Sequence, residues 1–305
     1  MLHFRLHCLR PVGILFSERK NMRKISYEDF RDEVRDSIER KLEETDFYAE
    51  FHEVTKNNDV ILDGVTILRK GRNDYFRANP TIYINDFYKM YEEDGKDVDE
   101  IARMMLEISV DCQSEFTMDP EVFETFEKAK DRIVIRLINT RQNCEILCKG
   151  PHMEIMDLSA VFYYLIDSGS DGTYSTHITN EIFDNWGISV DELYEFAVEN
   201  TKKVVGLKFG PYFPLCVLSN KFSLFGAASI LYKDVLESAA LLMDCDLYII
   251  PSSVHEVLLV PADSEKYNTE RLTDMLTCVN KEVKNTDILS DHLYFYSREK
   301  KLMSL

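Results

Sequence analysis

Phosphate-cradling glycine loops are missing from this sequence. Neither G-x-x-x-x-G-K-[ST] nor G-x-G-x-x-G occurs, so nucleotide enzymes built on those loops are excluded. G-x-S-x-G, the strand-to-helix turn that exposes a serine nucleophile, is also missing. Basic residues are scarce: 36 Lys and Arg stand against 54 Asp and Glu, a formal net charge of −18. Such a chain repels phosphate backbones and anionic lipid, which argues against direct nucleic-acid or membrane binding. No apolar run reaches the roughly 18 residues that a membrane helix needs. The seven cysteines, at positions 8, 112, 144, 148, 216, 245 and 278, are odd in number and scattered, and most lie in apolar runs. That pattern fits a reducing compartment, and the protein is expected to be cytoplasmic.

Glycine and proline are sparse too, 11 and 8 in 305 residues, while 45% of the chain is hydrophobic and 11% aromatic. This is the composition of a chain that buries a core, and its length suits two ordinary domains. The first 21 residues differ: Arg5, Arg10, Arg19 and Lys20 face a single acid, Glu18. They lack the long apolar stretch and small-residue cleavage site of a secretory signal. Residues 1–21 are therefore expected to be a disordered or non-native leader, with Met22 as the alternative start.

Beyond the leader, Ser26 and Asp29 sit at the head of a helical pattern in which Phe30, Val34, Ile38 and Leu42 recur every fourth residue. "FYAEFHEVT" and "DVILDGVTILRK" read as a hairpin joined through "KNND". "NPTIYINDFYKMYEEDG" follows as an approach and a helix, and "DVDEIARMMLEI" as a second helix. About ninety residues on, "VFYYLIDSGSDGTYSTHITNEIFDNWGISVDELYEFAVEN" repeats the order of strand, turn, strand, short helix, glycine and helix. "VDEI" at 98–101 corresponds to "VDEL" at 190–193, preceded by Asp97 and Ser189 as caps. These features predict a degenerate ββαα duplication. "RIVIRLIN" and "NCEILC" read as strands, with "KGPHME" as the junction between the halves. "PLCVLSN" and "GAASILY" read as extended, "KDVLESAALLM" as a helix, and the end as "DLYII", "HEVLLV", a helix from Asn268 and a strand "DHLYFYS". The expected fold class is α+β, with mixed helices and antiparallel hairpins, in an N-terminal domain 22–150 and a C-terminal domain 151–305.

"NPTIYINDFYKMYEEDG", "SSVHEVLLVP", "LTDMLTCVNKEV" and "LSDHLYFYSREKKL" resemble the bacterial family catalogued as domain of unknown function 5688. The last three are more distantly similar to the family numbered 1444. The resemblance runs from Met22 to the C-terminus. It implies a bacterial, cytosolic protein of the kind found in gut Firmicutes, and it carries over no catalytic residue.

The stretch with most chemistry is "IIPSSVHE". Ser253 and His255 would share a strand face, and Glu256 adjoins them, so a hydroxyl could touch an imidazole. Base and nucleophile usually come from distant segments, however, and the simpler expectation is a turn in which Pro251, Ser252 and Ser253 cap backbone groups near the surface. Asp291 and His292 would point to opposite faces of a strand, although Asp291 could serve His255 from a distance. Tyr83, Asn85 and Tyr88 are candidate binding residues where hairpin meets helix. Cys144, Cys148 and His152 have the look of metal ligands, but on a strand the two cysteines would be buried, and no second Cys/His pair exists; His3, His7 and Cys8 rank lower still. No metal site and no cofactor are expected. The leading functional expectation is a non-enzymatic interaction module with a protein partner, basic in character. Alternatives are a hydrolase-like enzyme using Ser253, His255 and Glu256, and an acidic nucleic-acid mimic that inhibits a DNA-binding protein. The acidic stretches "EEDGKDVDE" and "ERKLEETD", on polar helix faces and ends, favour a solvated coat over a docking or mimic surface as the source of the charge.

Overall fold

The computed structural model describes residues 25–71, 81–111, 119–169, 172–212, 215–262 and 267–305. The leader, Met22, His3, His7, Cys8 and Cys112 lie outside the described residues. The fold is α+β, and the chain divides into two compact units. One takes in the described residues up to Thr55, then Ile61–Pro120 and Ser168–Tyr174; the other takes in Lys56–Val60, Glu121–Asp167 and Ser175–Leu305.

In the first unit, α1 (Tyr27–Leu42) begins at Ser26, whose Oγ accepts from the Asp29 N–H at 3.1 Å. Its fourfold spacing places Phe30, Val34 and Ile38 on one buried stripe. β1 (Phe47–Thr55) and β2 (Ile61–Arg69) pair antiparallel along their lengths, and β3 (Thr81–Tyr83) adds to β2. α2 (Ile84–Asp94) stops at Gly95, where φ is +68°, a value that favours glycine. α3 (Val98–Asp111) is capped by Asp97, whose side chain accepts from the Glu100 N–H at 2.7 Å. Phe87, Tyr91, Ile101 and Met105 from α2 and α3 close the core over Phe30, Val65 and Ile67.

The second unit contains α4 (Phe126–Ala129), β4 (Ile133–Asn139), α5 (Cys144–Lys149), β5 (His152–Ile155), β6 (Leu158–Gly169) as far as Asp167, and β7 (Gly172–His177) from Ser175. α6 (Asn180–Asp184) and α7 (Val190–Val205) follow, then β8 (Lys208–Tyr212), β9 (Leu215–Ser219), a buried 3-10 turn over Gly226–Leu231 and α8 (Lys233–Met243). β10 (Leu247–Ser253), β11 (Glu256–Pro261), α9 (Thr269–Glu282), β12 (Tyr294–Ser297) and β13 (Leu302–Ser304) complete it. One sheet has the order β13-β12-β10-β11-β9-β8; the other runs β4-β6-β5, with β7 also on β6. Their core includes Ile133, Phe162, Ile178, Leu193, Leu218, Leu247 and Tyr294.

β4 lies at a sheet edge, yet every residue of it is buried. An edge strand in a core needs partners for its outward backbone groups. α7 supplies them: Thr201 Oγ1 accepts from the Ile135 N–H at 2.8 Å, and Asn200 Nδ2 donates to the Ile133 carbonyl at 2.7 Å.

Several sequence expectations change. "NCEILC" is the helix α5, with Cys144 and Cys148 exposed, because Asn143 at its head and the i,i+4 pair Glu145–Lys149 favour a local turn. "KGPHME" ends α5 and begins β5. "GAASILY" forms the buried 3-10 turn, since an apolar run without period reads alike as strand or turn. The sheet of β4 and β6 runs across residue 150, because the two strands pair from Ile133↔Tyr164 to Asn139↔Leu158. The segments β2-β3-α2-α3 and β6-β7-α6-α7 share one order of elements, and in both a left-handed glycine, Gly95 or Gly187, precedes a helix capped three residues before a glutamate.

Thr201→Val keeps shape and removes the acceptor for Ile135, so it should cost about 1–3 kcal/mol in urea unfolding. An unchanged midpoint would show that the β4 edge does not need it.

Candidate functional site

β10 and β11 form a hairpin whose register shifts between Ile250 and Ser253, so the strand pairing extends to Ser253↔Glu256 and the tip is Val254-His255. The turn therefore falls two residues later than expected. Leu247, Ile249, Val257 and Leu259 are fully buried as strand residues, whereas Ser252 and Ser253 are buried and not at the surface. Their hydroxyls are spent on the backbone. Ser252 Oγ donates to the Glu256 carbonyl at 2.9 Å, and Ser253 Oγ accepts from the His255 N–H at 3.1 Å. Ser219 Oγ donates to the His255 carbonyl at 2.7 Å. Gly226 lies at the same spot, where an added Cβ would stand 2.6 Å from that carbonyl.

The His255 ring is held at both nitrogens. Nδ1 accepts from the Phe225 N–H at 3.1 Å, so the neutral ring carries its proton on Nε2, 3.4 Å from Asp287 Oδ1. The acid from a distant segment is thus Asp287, and Asp291 lies with His292 instead. A ladder of asparagines positions Asp287. Asn58 Nδ2 donates to the carbonyls of Asn285 and Ile288, Asn57 Nδ2 to that of Thr286, and Asn143 Nδ2 to Asn58 Oδ1. The Asp287 carbonyl accepts from the Val254 N–H at 2.8 Å, which ties the tip to the same segment. Among the described residues, no hydrogen bond joins a serine hydroxyl to the His255 imidazole. The pair has an acid and a base without a nucleophile in contact.

Beside it lies Arg136 of β4, 4% exposed. Its guanidinium carbon stands 3.9 Å from the Tyr163 ring centroid and 3.7 Å from that of Phe225, and it donates to Ser175. No carboxylate among the described residues forms an ion pair with it. Burial lowers its pKa to about 10, with the Tyr163 phenol opposing, so it stays charged at neutral pH. Phe225 reaches this position with φ +54°, a left-handed conformation that costs a bulky residue about 1–3 kcal/mol. His177, whose ring centroid is 5.2 Å from that of Tyr163, has its pKa lowered to about 4, first by burial and then by the Arg136 charge.

A second cluster escaped the sequence reading because its anchor, Asp157, is an ordinary turn residue in sequence. Residues 290–293 precede β12, so Asp291 and His292 do not point to opposite faces of a strand. His292 Nδ1 is 3.1 Å from both Asp291 Oδ1 and Asp157 Oδ2. Tyr294 Oη donates to Asp157 Oδ1 at 2.8 Å and Ser290 Oγ to Oδ2 at 2.6 Å. Burial, ahead of the neighbouring Asp157, raises the Tyr294 pKa and keeps it a donor.

Asn85 Oδ1 accepts from the Asp63 N–H at 2.8 Å, and Tyr88 Oη donates to the Ile25 carbonyl at 3.0 Å. Burial raises the pKa of Tyr83, which lies in the core of the first unit. Cys144, Cys148 and His152 do not assemble: His152 Nδ1 lies 3.3 Å from the Gly150 carbonyl, and among the described residues only Asp157, Asp291 and His292 bring three ligand atoms together.

A cleft of about 750 Å³ lies apart from these residues in its lining. It is lined by Cys245, Asp246, Tyr248, Phe295, Arg298 and Glu299. Tyr248 and Phe295 pair across β10 and β12 with ring centroids 5.6 Å apart, edge to face. Arg298 is engaged by Asp244 at 2.6 Å, and its N–H donates to Asp246 Oδ1 at 2.7 Å.

A family described as a family of unknown function (DUF5688) matches residues 27–212 and 210–298. The chain belongs to this DUF5688 family. No curated protein and no solved structure matches it. No helix among the described residues of this DUF5688 member is long and apolar enough to cross a membrane.

Two outcomes are expected from this geometry. A serine-directed fluorophosphonate should leave Ser252 and Ser253 unlabelled; stoichiometric labelling lost in Ser253→Ala would overturn the structural role of that hydroxyl. His177 has a folded pKa below its unfolded value near 6.5, so the unfolded chain binds the extra proton between pH 6.5 and 4. Stability should therefore fall as pH drops through that window, by up to about 3 kcal/mol, and His177→Gln should flatten this part of a urea-midpoint profile.

Proposed function

We propose that this protein is a non-enzymatic interaction module that receives a basic partner protein at the cleft over Tyr248 and Phe295. The supporting observation is the cleft's make-up: an edge-to-face aromatic pair on a rigid sheet, rimmed by Asp246 and Glu299, with its one arginine already engaged by Asp244. Rigid aromatic surface gives binding energy at low entropic cost, and the Glu299 carboxylate beside it steers a cationic segment. Leu241 and Leu242, at the end of α8 just before Cys245, expose 56% and 75% of their surface and add aliphatic area in the same stretch of chain. The net charge of −18 favours a basic partner over the whole surface.

The hydrolase-like reading draws support from the His255–Asp287 pair, but Ser253 is spent on the backbone and His255 is enclosed at both nitrogens. We also infer that the two ββαα segments descend from a duplication, on their common element order and capping.

A photo-crosslinking amino acid at Tyr248 should capture, in the native host, a polypeptide of net basic composition. Capture should fall steeply as salt is raised and be abolished by Phe295→Ala with Leu242→Ser. Equal capture from a control position at Glu195 on α7, or capture insensitive to salt, would refute the reading.

A further inference from the structure

We propose that Asp157, Asp291 and His292 form a binding site for a single divalent cation of the Mn²⁺ and Zn²⁺ class. Three potential ligand atoms converge from two segments far apart in sequence, and all lie within 4.8 Å of one another. Both carboxylate oxygens stand 3.1 Å from the same nitrogen, His292 Nδ1. One ring N–H points along one direction and serves one acceptor well. Ligand atoms bound to a common cation at about 2.0–2.2 Å stand roughly 2.8–3.6 Å apart at octahedral to tetrahedral angles, and both oxygens lie at such a distance from the nitrogen. A cation at their focus would also offset the repulsion between the two carboxylates.

The anchor is held before any ion arrives. Asp157 occupies the two-residue turn between β5 and β6, next to Met156 at φ +58°, and its carbonyl accepts from the Thr140 N–H at 2.9 Å. Its carboxylate is oriented by Tyr294 and Ser290, which are 0% and 1% exposed. The Ser290 Oγ also accepts from the His292 N–H at 2.9 Å, so one buried hydroxyl fixes the anchor and the backbone of the second ligand. Outer partners of this kind, hydrogen-bonded to the ligands themselves, orient metal sites. The other two ligands are open to solvent, His292 at 56% and Asp291 at 79% side-chain exposure, so water or a partner's oxygen could fill the remaining coordination positions. One imidazole with two carboxylates suits Mn²⁺ or Zn²⁺ better than Ca²⁺, which prefers oxygen alone, or Cu⁺, which prefers sulfur.

The test is titration of Mn²⁺ into the full-length protein, followed by loss of the free ion's electron paramagnetic resonance signal. Mn²⁺ is chosen because it is indifferent to the exposed thiols of Cys144, Cys148 and Cys278. The expected result is one ion per chain, weakened at least about tenfold in Asp291→Asn and in His292→Gln separately. Both positions are exposed, so the variants should fold, and thermal melts check this. Absence of saturable binding below millimolar Mn²⁺, or one ion bound with unchanged affinity in both folded variants, would overturn the proposal.

Discussion

Arg136 is a buried cation that forms no ion pair among the described residues, and three separate elements of the second unit meet around it. A guanidinium taken out of water is costly unless its charge meets compensating groups. Two ring faces, from Tyr163 and Phe225, and the Ser175 hydroxyl fill that role. Each comes from a different place: β6, the strained turn before the 3-10 segment, and β7. Holding Phe225 over the cation also aims its N–H at His255, so the hairpin tip is fixed by the same demand. Burial depresses the His177 pKa first, and the Arg136 charge lowers it further, since a second positive charge beside it is unfavourable.

The hairpin tip turns a catalytic-looking sequence toward its own backbone. Serine, histidine and acid are all present, and His255 even acquires a distant carboxylate. What separates the serines from the imidazole is direction. The one-residue irregularity in β10 turns the serine hydroxyls onto the backbone of their own turn, and the Asn57, Asn58 and Asn143 ladder then locks Asp287 against the ring. The Asp157 cluster has the opposite character: its orienting donors are buried, and two of its three ligand residues, Asp291 and His292, are exposed.

Much of the fold was legible in the sequence. The α1 stripe, the β1–β2 hairpin, the capping residues Ser26, Asp97, Ser189 and Asn268, and the β10–β11 pair follow from local period and hydrogen-bonding chemistry. The errors fell where apolar runs lack a period: α5 read as a strand, and the Gly226–Leu231 turn as extended chain. β8 and β13 were missed because they are short and lie at sheet edges, where little burial imposes alternation. Of the candidate site, Ser253, His255 and Asp291 were visible as residue types, but Asp157 and Asp287 were not, each being one acid among 54.

The sequence alone determined the acidic surface, the α+β class, the helix starts and stops, and the family, because these depend on composition, period and neighbours within four residues. The tertiary structure alone decided which acid meets which histidine. Asp157 and His292 are 135 residues apart and become neighbours only when the β5–β6 turn meets the segment before β12. The same holds for the Arg136 sandwich and the aromatic cleft: cross-strand register and side-chain direction set them, and both follow from how the sheets pair in three dimensions, beyond the reach of local pattern.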